Sequence, residues 1–170
     1  MKLQGTQELT RALKKAGDEA DHALRSALYI EGEQIMTLSK QEAPVGTDGV
    51  LRNSGFVEHP KRVAGILRVV LGYGGAAASY AVFVHEGTGP AVGKPKFFPP
   101  PSALVPWAKK FLGAKDAGTE QEPGPAAWNL ARAIGTRGLK PTKYLEKPLK
   151  ARIRGMAGRI AKRIRSQMGG

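Results

Sequence analysis

From about Thr6 to Gln41 the apolar residues Leu9, Leu13, Ala16, Ala20, Leu24, Ala27, Ile35 and Leu38 fall mostly three or four apart, the spacing that places them on one face of a single long helix. A face of that kind has to be covered, so the rest of the chain must supply an apolar surface for it. Thr6 is placed to cap the start. Pro44 ends the helix soon after Glu42, because a proline disfavours helical geometry in the residue before it. Gly17 and Gly32 each cost about 1 kcal/mol relative to alanine inside a helix, and mark the two places where a bend or break is expected.

The periodicity changes after the helix. Val45–Ser54 is rich in turn formers and predicts a loop with one short helical turn at Gly49–Ser54. Phe56–Val63 and Gly65–Leu71 read as two strands, the second rich in β-branched residues, and Tyr80–His85 reads as a third. Small residues over Gly72–Ser79 separate the last two. A small antiparallel sheet packed under the first helix buries both apolar faces and predicts an α+β domain. Gly87–Pro101 is expected to be a long loop without regular structure. Short helices are expected from Ser102 to Gly113 and over Pro125–Ile134. At 170 residues the chain fits one domain spanning 1–170.

The last element is the most unusual in charge. From near Lys143, Leu145, Leu149, Ile153, Met156, Ile160, Ile164 and Met168 recur at three or four. Lys147, Lys150, Arg152, Arg154, Arg159, Lys162, Arg163 and Arg165 fill the other faces of what reads as a basic amphipathic helix. The formal net charge is +13, and the last forty residues hold twelve basic residues and one acidic residue, Glu146. Eight like charges on one helix repel one another, so a negatively charged partner is favoured. Nucleic acid, an acidic subunit and an anionic membrane all qualify. The membrane is the weakest of the three because the helix's apolar face has no Trp or Phe, and contact with DNA would be to phosphates rather than bases.

Catalytic patterns are missing. The chain has no cysteine, which removes disulfides and thiolate sites. His22, His59 and His85 show no metal-ligand spacing. None of Ser26, Ser39, Ser54, Ser79, Ser102 and Ser166 lies in a nucleophile-elbow pattern. Gly72–Gly75 and Gly87–Gly89 lack the lysine and following helix of a phosphate loop. His85-Glu86 reads as a strand-end pair rather than an acid–base pair. Neither an enzyme nor a cofactor is expected, and no window approaches 18 consecutive apolar residues.

Four motifs follow in order: Ala43-Pro44; Asp48-Gly49-Val50-Leu51-Arg52-Asn53-Ser54; Tyr80-Ala81-Val82-Phe83-Val84-His85-Glu86-Gly87-Thr88; and Tyr144-Leu145 with Leu149. In this order the chain resembles the head–tail joining and tail-completion proteins of long-tailed bacteriophages. That family shows Ala-Pro, an acidic-Gly-x-Leu-Arg-x-Ser signature, Tyr-Ala-x-x-Val-Glu-x-Gly-Thr and a final aromatic-Leu-x-x-x-Leu. His85 precedes Glu86 at a point where the family motif varies, and the resemblance implies that the stretch 98–138, with its short helices, is the insertion some members carry before the last helix.

The resemblance implies a structural virion protein of the phage neck, joining head to tail or completing the tail as a ring, expected to be a hexamer, around the DNA path. Its partners would be copies of itself, neighbouring neck proteins, the tail tube or tail terminator, and packaged DNA through non-specific contact. No membrane is involved, and its place would be the virion, with the host cytoplasm during assembly. Asp48, Leu51, Arg52, Tyr80, Glu86, Gly87 and Thr88 are the candidate assembly residues, unless they serve the core of the fold. The competing readings are a sequence-independent DNA-binding protein that uses the basic last helix and, less favoured, a small hydrolase.

Overall fold

The computed structural model describes residues 6–45, 49–75 and 78–168. Asp48 lies outside the described residues, and Tyr80 is described by its backbone alone. The chain is α+β. Its helices are α1 (Thr6–Glu42), α2 (Val50–Asn53), α3 (Ala78–Glu86), α4 (Val105–Leu112), α5 (Pro125–Arg137), α6 (Glu146–Ile153) and α7 (Met156–Met168). Its strands are β1 (Gly55–Val57), β2 (Lys61–Val63), β3 (Ile66–Arg68) and β4 (Leu71–Tyr73). These elements form two compact units interleaved in sequence. The first takes Met1–Leu38, Phe56–Gly72 and Pro148–Gly170, and the second takes Ser39–Gly55 and Tyr73–Lys147.

In the first unit α1 is helical without interruption through Gly17 and Gly32. It buries Ala23, Ala27, Ile35 and Met36. A β-hairpin docks against this stretch: a Cβ on Gly32 would lie 3.0 Å from Val57 Cγ1, and Tyr29 stacks on His59 at 4.6 Å. Arg25 donates to the Pro60 carbonyl at 3.0 Å, and Asp21 accepts from Arg25 at 2.6 Å and also from Arg62. Within the hairpin β2 and β3 run antiparallel, with Val63 opposite Ile66. Ala64 (φ 49) and Gly65 (φ 80) supply the two left-handed residues that a tight hairpin turn needs.

The sheet does not cover the whole helix. At 1.5 Å per residue α1 is about 55 Å long, and strands of three residues span a fraction of that. Every residue from Gln7 to Glu19 is exposed, including Leu9 and Leu13, contrary to the expected continuous burial of the helix face.

The second unit holds two small cores. One gathers Ala43, Leu51, Ala81 and Tyr144, with Tyr73, Val84 and Leu145 against them. The other gathers Val105 and Ala108 from α4, Ala127 from α5, and Ala117.

Three local expectations are corrected. Tyr80–His85 is helical, within α3, and not a strand. A short continuous apolar run does not distinguish a strand from a helix, and here the helical turn aims Ala81 and Val84 at Tyr144 while Val82 and Phe83 face outward. The loop Gly87–Pro101 contains a 3-10 turn at Gly89–Val92, and a second such turn at Pro101–Leu104 precedes α4. The basic last helix is two helices: Lys143 adopts a left-handed φ of 54° before α6, and Gly155, at φ 72°, separates α6 from α7.

Candidate assembly site and basic face

In the second unit the sequence motifs meet. Ala43, Leu51, Ala81 and Tyr144 come from the four motifs, and together they are the buried residues of one core. Each motif also supplies a polar contact that fixes the backbone around this core. Arg52 donates to the carbonyls of Ala43 at 2.9 Å and Gln41 at 3.3 Å, satisfying acceptors that the end of α1 leaves open. Ser54 Oγ donates to the Leu51 carbonyl at 2.8 Å, and the Ser39 and Tyr73 hydroxyls share a hydrogen bond of 2.7 Å.

The end of α3 is held by the segment before α6. Thr142 donates to the Val84 carbonyl through Oγ1 at 2.8 Å, the Lys143 amide donates to the His85 carbonyl at 3.1 Å, and the Tyr144 hydroxyl donates to the Ala81 carbonyl at 3.1 Å. His85 and Tyr73 each meet the Tyr144 ring edge-on at 4.9 Å. Gly87 stands at φ 77°, where a Cβ would lie 2.5 Å from the Leu139 carbonyl oxygen, so no other residue fits without moving backbone. Thr88 is buried and pairs with Leu139: its amide donates at 2.9 Å, and its carbonyl accepts at 3.1 Å. Leu51, Arg52, Gly87 and Thr88 therefore build the fold of this unit.

Glu86 is the exposed member of the set. It pairs with Lys143, whose ammonium also lies 3.3 Å from Glu146. The Lys143 hydrogen bond holds the Glu86 carboxyl below its usual range, and Glu86 in turn raises Lys143. His85, Glu86 and Glu146 each bring one ligand-type atom within 4.8 Å of the others. The Lys143 ammonium contacts both carboxylates and offsets one of their two negative charges, which makes this an ion-pair network. Among the described residues no serine hydroxyl bonds to a histidine.

Beside the motif core, the second unit presents apolar groups to solvent. Phe83 stacks on Phe97 at 5.6 Å, and the two rings are 44% and 46% exposed, with Val82 at 62% and Phe98 at 54%.

In the first unit two of the eight predicted contact cations are used internally. Glu31 is fully buried on α1. Arg159 clasps it through Nε at 3.1 Å and Nη2 at 2.8 Å, and Arg152 Nη2 reaches it at 3.0 Å. Arg152 also bonds Gln34. Arg159 further donates to the carbonyls of Arg152 at 2.6 Å and Arg154 at 3.0 Å, bridging the break between α6 and α7. The Arg159 hydrogen bond, followed by that of Arg152, holds the Glu31 carboxyl below its usual range against the opposing effect of burial.

Glu31 escaped the sequence reading, although a signal for it exists. The apolar series jumps eight residues from Ala27 to Ile35, and Glu31 occupies the missing position on that face, where a carboxylate requires a cationic partner. Of the remaining cations, Lys147, Arg154, Lys162, Arg163 and Arg165 have no acidic partner among the described residues. No protein-family model, curated protein or solved structure matches the chain. Among the described residues no helix is long and apolar enough to cross a membrane.

Proposed function

We propose that this chain is a structural subunit of a bacteriophage neck, which joins head to tail or completes the tail by assembling into a ring around the DNA path. The observation that supports this reading is that residues from all four motifs meet in one small core. A subunit of this kind needs contact surfaces. The outward side of α3 with the facing loop, Val82, Phe83, Phe97 and Phe98, offers a cluster of large apolar groups of the sort that marks protein contacts. Closed cyclic symmetry turns one repeated contact of this surface with a different patch on the next copy into a ring, proposed here as a hexamer. Neighbouring neck or tail proteins would stack on it, in the virion and in the host cytoplasm during assembly.

Light scattering coupled to size exclusion tests the surface. The native chain is expected to elute as a closed oligomer, and Val82→Ser with Phe83→Ser is expected to release folded monomer. These side chains are exposed, so circular dichroism should stay unchanged. An oligomer that survives the double substitution would remove this surface from the account.

A further inference from the structure

We propose that the outward face of α7 binds the phosphate backbone of a nucleic acid without reading its sequence. The proposal stands apart from the neck reading and holds or fails without it. Arg159, Lys162, Arg163 and Ser166 line one open concavity of about 290 Å³. Their spacing of three, one and three residues is that of a single helix face, so three cations and a hydroxyl donor share one stripe along α7. Arg154 and Arg165 flank it, and between Pro148 and Gly170 the chain has seven basic residues and no acidic one.

The stripe divides into a fixed part and an available part. Arg159 is held by Glu31 and by the carbonyls of Arg152 and Arg154, which sets the wall of the concavity. Lys162 and Arg163, with Arg154 and Arg165 beside them, have no acidic partner among the described residues. A Cβ built on Gly158 meets nothing within 4 Å, so a phosphodiester chain can approach the helix closely at that point.

Residue types decide the class of anion. Guanidinium groups bind phosphate oxygens in pairs, and an extended polyanion can neutralise the whole stripe at once with release of its counterions. The absence of any aromatic residue on α6 or α7 removes base stacking, so binding falls on phosphates alone. The same absence disfavours insertion into a membrane interface. Arg152 and Arg159 are engaged by Glu31 and Lys147 and Lys150 lie on α6, so the contact set falls from eight cations to four, Arg154, Lys162, Arg163 and Arg165. At about −0.9 per phosphate, the expected slope of log affinity against log salt is about −3.6.

Fluorescence anisotropy of the full chain with two labelled duplexes of unrelated sequence, titrated from about 50 to 200 mM salt, tests this. The expected result is equal affinity for the two sequences within about twofold, falling about 150-fold over that range. Lys162→Gln with Arg163→Gln should shrink the slope by about 1.8 with unchanged circular dichroism, and Arg163→Lys should retain it. A flat salt dependence or no binding by the native chain overturns the proposal. So does native-like binding by the folded double variant. Equal binding to poly-glutamate would overturn it in favour of an acidic protein partner. Binding to vesicles of phosphatidylserine and phosphatidylcholine, with none to DNA, would overturn it in favour of a membrane surface.

Discussion

Gly17 and Gly135 both lie inside helices, and sequence alone assigns them the same propensity cost. Their surroundings separate them. A Cβ on Gly17 meets nothing within 4 Å, whereas on Gly135 it would lie 2.1 Å from Phe98 Cδ1 and 2.7 Å from Cγ, inside the ring's present position. Gly17→Ala is therefore expected to stabilise α1 by about 1 kcal/mol through propensity alone. Gly135→Ala forces the half-exposed Phe98 ring aside, which offsets the same gain, so this variant should be less stable than Gly17→Ala. Chemical denaturation of the two variants checks the contrast. Gly87 is a third case, since its left-handed backbone and the nearby Leu139 carbonyl explain a motif glycine that the sequence marked without a reason. Arg52 likewise stood out only through its motif, and its role in closing the end of α1 depends on the chain returning to that point.

The long first helix and the basic end of the chain were legible from spacing, because an amphipathic period survives whatever it packs against. The strand expected at Tyr80–His85 was not, because β-branched and aromatic residues in a short run carry no period that resists tertiary packing. The α6–α7 pair shows what charge alone hides: two of its arginines are held by one buried carboxylate 121 and 128 residues away in sequence. Removing that carboxylate leaves both cations without their partner. Glu31→Gln is expected to destabilise the first unit by about 1–2 kcal/mol, measured by urea unfolding, since both guanidinium groups stay partly exposed to water. The pH dependence follows from the sign of the shift. A carboxyl whose folded value lies below its unfolded value of about 4.3 contributes fully above that pH, and its contribution is lost as the pH falls further through the folded value. Native protein should accordingly lose protection of the α7 amides on acidification below about pH 4, and Glu31→Gln should show little of that dependence.

For the molecule as a whole, the described residues show a small core, an exposed aromatic cluster and a cationic face. Those features suit a protein that works through surfaces. The α+β class was legible because helical and strand periods both appear in the sequence. The division into two interleaved units was not, because Pro148–Gly170 joins Met1–Leu38 across more than a hundred residues and no local pattern records that return. Native mass spectrometry of the purified chain tests the ring most directly. The account predicts one closed stoichiometry, with six copies expected, that persists on dilution. A monomer at every concentration, or an open-ended ladder of oligomers, would contradict it.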